Sequence, residues 1–375
     1  MIKIKREEII TMKVKLLILI LLVAITSCQK IPQQAIDSPE AKRPITSTSI
    51  VSEYMPRKYF GAVLEPESKI IHGAGQDVES FNHYSSLFAD EHKPLIYMTY
   101  VSISKGSEEV EKWKNKLKKE IDSQVKHNTV LQIGLSFTGG NDKGKGRAED
   151  AANGEFDEAI NQIIQSLIEL DRPAYLRIGY EFEGSWNGYT PNAYAATFKR
   201  IVNKARAQGL QNTAYVWCSG GGSANFIDFD ELMKYYPGDE YVDWWGVDIF
   251  SPEEITNPWL GKFYALSAKH GKPVMIGETT PRHVGVNDGK KSWDAWYGPF
   301  FNMVKQHPEI KAISYINWDW DYWAKFLNFP WHNWKDARIE KNQYINKHYV
   351  NELKDPIWLH SQQTMKLEIS TLKGE

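Results

Sequence analysis

The chain has 375 residues, which suits one barrel of roughly 250 residues with insertions better than a single minimal domain. Its formal charge of −2 leaves no electrostatic footprint for nucleic acid, and 42% hydrophobic with 25% charged residues describes an ordered globular protein. Two cysteines, Cys28 and Cys218, exclude a disulfide framework and a cysteine-based zinc site. The unusual component is aromatic: 14 Trp and 19 Tyr fit either a Trp-rich core or a cleft in which sugar rings stack on indole and phenol faces.

Residues 1–28 read as an export signal. Lys13 and Lys15 precede the apolar run Leu16–Ile25, which is shorter than the ~20 residues needed to span a bilayer. Ile25-Thr26-Ser27-Cys28 resembles a bacterial lipobox, which implies a lipid on Cys28, attachment to the membrane and a place in the bacterial envelope. Gln29 at the next position favours the outer membrane. Residues 29–52 hold Pro32, Pro39 and Pro44 among polar residues, without apolar periodicity, and read as a flexible tether. Residues 53–375 are then one domain, expected to be monomeric.

From there, short apolar runs alternate with longer amphipathic stretches. The expected strands are Tyr59–Leu64, Pro94–Ser102, Val130–Phe137, Ala174–Glu181, Thr213–Cys218, Val242–Phe250, Pro273–Thr279 and Ala312–Trp318. Helical patterns fall between them, including Glu108–Lys126, Phe156–Glu169, Asn192–Gln208, Phe229–Tyr236, Trp259–His270, Ser292–Gln306 and Ile339–Leu353. Eight such units without a glycine-rich dinucleotide fingerprint predict a closed (β/α)8 barrel of the TIM type. The loop Gly139–Gly146 lacks the order of a phosphate-binding motif. No His, Asp or Glu spacing forms a catalytic metal pattern, and no cofactor is expected.

Period two sorts the fourth strand. Ala174, Leu176, Ile178, Tyr180 and Phe182 suit the helix layer outside the barrel, so Tyr175, Arg177, Gly179, Glu181 and Glu183 point inward. Glu181 sits at the C-terminal end of this strand, where barrel enzymes carry their chemistry. The seventh run ends likewise in a single carboxylate, Glu278. Two carboxylates at different strand ends can supply what glycoside cleavage with retention requires: one protonates the leaving oxygen and the other attacks the anomeric carbon.

The segment Arg177-Ile178-Gly179-Tyr180-Glu181-Phe182-Glu183-Gly184-Ser185-Trp186 resembles the strand-four motif of glycoside hydrolase family 26, of clan A. That motif runs Arg, two residues, His, Glu, one residue, Asn, Gly, one residue, Trp. Tyr194, Arg200, Gly209, Asn212 and Tyr215-Val216-Trp217 continue the likeness, as do Tyr236–Asp243 and Lys272–Glu278. The resemblance implies that Glu181 is the general acid/base, that Glu278 is the nucleophile and that the substrate is a β-linked polysaccharide. Three positions depart from the family: Tyr180 stands for histidine, Glu183 for asparagine, and Phe250, after Asp248, for a strand-six tyrosine near the nucleophile. These changes beside the cleaved sugar imply weak or absent activity on plain β-1,4-mannan.

The other expected sugar contacts are Arg177, Tyr180, Glu183, Trp186, Trp217, Asp248, Phe250, His283 and Trp318, the last matching the clan's tryptophan floor. Cys218 is expected to be a buried, inert thiol. The alternative to an enzyme is a non-catalytic glycan-binding lipoprotein on the same barrel.

Overall fold

A computed structural model of the chain describes residues 55–123, 129–139, 146–326 and 333–361. The export signal with Cys28, the tether, and residues 140–145 of the glycine-rich loop lie outside the described residues.

Eight parallel strands close into a barrel: β1 (Ile70–Gly75), β2 (Ile96–Ser102), β3 (Val130–Ser136), β4 (Ala174–Ile178), β5 (Thr213–Ser219), β6 (Trp244–Ile249), β7 (Val274–Thr279) and β8 (Ile310–Ile316). Closure runs through β1, which pairs with β8 at Ile71↔Ala312 and with β2 at Gly73↔Ile96. A ninth strand, β9 (Trp358–Leu359), adds to β1 alongside Ile70 and Ile71. Helices alternate with the strands, and their apolar stripes make the outer layer. The helix Asp157–Leu170 buries Ile160, Ile163, Ile164 and Leu167 at positions i, i+3, i+4 and i+7. They join the cluster that holds Leu176 and Ile178 of β4. Each such side chain contributes about 1.5–3 kcal/mol of burial. A second, inner cluster fills the barrel with Ile71, Ile96, Tyr175, Val216, Trp244 and Met275.

The first strand is Ile70–Gly75, not the expected Tyr59–Leu64. Glycine spacing explains why the strand is hard to read. A Cβ on Gly73 would meet Ser314 Oγ at 2.7 Å and Ile96 Cβ at 2.8 Å, and one on Gly75 would meet Met98 Cβ at 2.4 Å. The neighbouring strands thus require glycines where a strand pattern would show branched residues. The apolar segment around Tyr59–Leu64 instead covers the N-terminal mouth of the barrel. Tyr175 and Trp244, near the starts of β4 and β6, donate to the carbonyls of Leu64 and Val63 at 2.5 and 2.7 Å. Lys311, at the start of β8, donates to the carbonyls of Lys58 and Glu67 and pairs with the buried Glu65 at 3.5 Å.

Candidate active site

β4 ends at Ile178, and the chain then leaves the extended conformation. Gly179 has φ +58° and Glu181 φ +52°. A Cβ on Gly179 would lie 2.6 Å from the Phe137 ring and 2.7 Å from the Tyr194 ring, so this turn requires glycine. Glu181 adopts the left-handed region without that licence, a strain that persists only where surrounding bonds over-determine it. Its amide donates to the Cys218 carbonyl at 2.8 Å, and its carbonyl accepts from the Gly184 amide at 2.9 Å. Asn187 Nδ2 reaches the carbonyls of both Tyr180 and Glu181, at 3.0 and 2.9 Å.

This turn breaks the two-residue alternation and corrects one expectation. Phe182 stays in the outer layer, but Tyr180 packs inside the barrel. The Arg177 guanidinium lies 4.9 Å from the Tyr180 ring centroid, and the Tyr100 ring lies 5.7 Å from it. Gly134 makes room for both rings, since a Cβ there would meet Tyr100 at 2.6 Å and Tyr180 at 3.0 Å.

Arg177 is fully buried and joins the strand ends. Nη1 donates to Glu278 Oε1 at 2.8 Å, and Nη2 donates to Asp248 Oδ2 at 2.5 Å. Nη2 also lies 3.3 Å from Cys218 Sγ, whose thiol is 3.5 Å from Asp248 Oδ1. The fit depends on Gly277, where a Cβ would stand 2.7 Å from Arg177 Nε and 2.8 Å from Asp248 Oδ1. Asp248, expected to touch sugar, is thus a buried partner of Arg177 and Cys218.

One guanidinium faces three carboxyl groups, and their partners differ. Asp248 and Glu278 each accept a charge-assisted bond from Arg177. Glu181 accepts from the neutral Trp186 indole, Nε1 to Oε2 at 3.1 Å. Burial, then the charges of Asp248 and Glu278, push the Glu181 carboxyl well above the usual range, and Arg177 offsets only part of this. Burial and Glu278 also raise Asp248, against the pull of Arg177. The arrangement therefore favours a proton on Glu181.

The remaining expected contacts divide. Trp186 reaches Glu181, and Trp318 packs with Met98, Ile316 and Trp320 above the barrel, stacked 5.0 Å from Trp323. Trp217 faces outward on β5 and stacks on Phe182 at 4.6 Å within the helix layer, so it offers no platform to a sugar. Glu183 turns toward the end of β5, accepting from the Ser219 hydroxyl and, at 3.0 Å, from the Gly220 amide; burial pushes its carboxyl up to about 7. It ties two loops together rather than lining a subsite. Phe250 is buried, 4.9 Å from the Trp334 ring and under the Arg282 guanidinium. His283 is exposed and bonded through Nδ1 to the Asn333 carbonyl at 2.6 Å, tying its loop to that segment. Cys218 is buried as expected, but it sits inside the Arg177 network.

Two residues of the site escaped the sequence reading. Tyr100 and Gln76 stand at the ends of β2 and β1, the Tyr100 hydroxyl 3.3 Å from Gln76 Oε1. The alternation applied to β4 would have found Tyr100, because Ile96, Met98 and Tyr100 share the inward face.

The model of glycosyl hydrolase family 26 matches residues 141–321. A β-1,3-xylanase from an Alcaligenes species is 27% identical over 330 residues, covering 79% of this chain and 66% of that protein. A β-1,3-xylanase from a Vibrio species is 28% identical over 334 residues, covering 80% and 68%. This chain thus spans about two thirds of the length of these relatives. Among solved structures, a double mutant of a Cellulomonas fimi endo-β-1,4-mannanase superposes with a TM-score of 0.59 at 15% identity, covering 82% of this chain and 74% of that one. The catalytic domain of an endo-β-1,4-mannanase from Bacillus sp. JAMB-750 gives 0.54 at 16% identity, covering 78% and 87%. These structures share the barrel, the family model matches the stretch that holds β4 to β8, and Glu181 and Glu278 stand at the ends of β4 and β7: over that stretch the chain resembles glycosyl hydrolase family 26.

Proposed function

We propose that the protein is a retaining, endo-acting β-glycanase that works by double displacement, with Glu278 as nucleophile and Glu181 as acid/base. The observation that carries the division of roles is Arg177, which binds Glu278 and Asp248 and leaves Glu181 with a neutral indole partner. In the first step a Glu278 oxygen bonds to the anomeric carbon as the glycosidic C–O bond breaks, and the Glu181 proton goes to the departing oxygen. In the second, Glu181 takes a proton from water, the water oxygen bonds to the anomeric carbon, and Glu278 leaves as carboxylate. Retention requires the two carboxyl groups ~5–5.5 Å apart.

The substrate we favour is β-1,3-xylan. The relatives named for that activity align across about four fifths of this chain, whereas the mannanase structures share only its fold. Tyr180, where the family motif has histidine, supports a departure from mannan, because it lies against Arg177 at the cleavage site. A panel of purified β-glycans, scored by reducing ends and product length, should show β-1,3-xylan cut to short oligosaccharides and unsubstituted β-1,4-mannan cut weakly or not at all. Efficient mannan cleavage would refute this specificity. Oligosaccharide binding with no cleavage of any β-glycan would favour a capture protein instead.

We further propose that Cys28 carries the lipid implied by the lipobox, on the bacterial envelope. Residues 58–67 lie against the N-terminal mouth of the barrel, so the tether would enter the domain at the end opposite Glu181 and Glu278. A Cys28→Ser variant should move from the membrane to the soluble fraction; unchanged attachment would refute the lipobox.

A further inference from the structure

We infer that Gln132 of β3 is a positioning residue for Glu278, its side-chain amide holding a bulge in β7 that turns this carboxylate into the barrel. The role is tied to that proposed for Glu278 as nucleophile. Along β7, Val274 and Ile276 pack in the outer cluster, while Met275 packs in the inner one. A Cβ on Gly277 would also face inward, toward Arg177 and Asp248. Continued alternation would therefore send Glu278 outward with Val274 and Ile276. Its carboxylate instead meets Arg177, which is fully buried inside the barrel.

The strand register contains the turn. Ile276 and Thr279 of β7 pair with Val247 and Ile249 of β6, and with Ile313 and Tyr315 of β8. β7 thus places two residues, Gly277 and Glu278, where β6 has only Asp248 and β8 only Ser314. An extra residue of this kind disrupts the ladder locally and re-aims a side chain. Backbone groups freed from a ladder inside a barrel need other partners. Gln132 supplies one from β3, on the opposite side of the barrel. Fully buried, it donates from Nε2 to the Gly277 carbonyl at 2.7 Å and accepts at Oε1 from the Ser314 hydroxyl, also at 2.7 Å. Nε2 also lies 3.0 Å from Met98 Sδ. The orientation of the amide follows from its partners: a carbonyl can only accept, so the nitrogen end must face Gly277. One side chain thereby clamps the bulged pair of β7 to the single residue that stands opposite on β8. The Gly277 carbonyl and the Glu278 amide belong to one planar peptide unit. Fixing that carbonyl fixes the plane from which the Glu278 side chain departs.

Gln132→Met keeps much of the side chain's length and removes the amide. On the preferred glycan kcat should fall about 10- to 100-fold with KM within roughly threefold, because a misplacement on the order of 1 Å in an attacking atom is that costly. Covalent labelling of Glu278 by an activated 2-deoxy-2-fluoro glycoside should slow by a similar factor. A crystal structure of the variant should show the bond between Glu278 Oε1 and Arg177 Nη1, 2.8 Å in the wild type, lengthened or lost. A lower melting temperature with wild-type kcat and labelling rate would reduce Gln132 to packing and overturn the assignment. Should Gln132→Met fail to fold, Ser314→Ala decides, since it removes only the bond at the far end of the amide. There kcat should fall about two- to tenfold at unchanged KM, and a wild-type kcat would overturn the assignment. A wild type that cleaves no β-glycan would refute the proposed activity. The variant's crystal structure would still decide the role of Gln132, because an unmoved bulge and carboxylate would contradict it.

Discussion

Replacing Glu278 with alanine should abolish turnover of every glycan, a loss of roughly four orders of magnitude or more, because no other carboxylate can form the covalent intermediate. Glu181→Ala should fail differently. On a polysaccharide the leaving alkoxide needs its proton, and the loss should be about 10²- to 10⁴-fold. On an aryl glycoside whose phenolate leaves unaided, the first step should survive and the glycosyl-enzyme should accumulate. Azide, which needs no general base, should then restore turnover as the glycosyl azide. The contrast follows from the environments of the two groups. Glu278 accepts from Arg177, while Glu181 sits on a strained turn against Trp186, its carboxyl pushed well above the usual range by burial and two neighbouring charges. Rescue in Glu183→Ala and not in Glu181→Ala would overturn the assignment, although Glu183 turns to Ser219 and Gly220.

The second large effect should come from Arg177→Met. The substitution preserves much of the side chain's length but leaves Asp248 and Glu278 in the barrel without their shared cation. Breaking a buried pair by removing one partner typically costs about 3–5 kcal/mol, because the surviving charge is uncompensated. Urea unfolding should show a loss of that order. Adding Asp248→Asn should recover part of it, a coupling expected only of groups in one network. Activity should stay low in both proteins, since Glu278 has lost its guanidinium donor. Single and double variants of equal stability would mean that the pair contributes no coupling.

Much of the architecture was legible because β2 to β8 are apolar runs between amphipathic helices, and because Glu181 and Glu278 stand at strand ends. What was not legible has local causes. β1 is written in small residues because β2 and β8 press on Gly73 and Gly75, so it reads as a turn, while the apolar plug at Tyr59–Leu64 reads as a strand. Tyr180 was assigned to the outer face because alternation was extended past Ile178, where the positive φ of Gly179 resets it. Trp217 lies before the end of β5, and its parity with Tyr215 places it outward; aromatic type alone suggested a platform. Asp248 and Glu183 were read as sugar contacts because an acid near a site was assigned to substrate, when each is occupied by another protein group. Tyr100 was missed because the likeness to the family was followed on strands four to eight and the alternation was not applied to strand two.

The most direct test of the central claim is the mass of the trapped enzyme. Incubation with an activated 2-deoxy-2-fluoro glycoside of the preferred sugar should stall the reaction after its first step. The protein should gain the mass of one fluoroglycosyl unit, and peptide mapping should place it on Glu278. Wild type and Glu181→Ala should both label when the leaving group needs no proton, and Glu278→Ala should not. A label on Glu181, Glu183 or Asp248 would contradict the account, as would hydrolysis of the substrate with inversion and no covalent adduct.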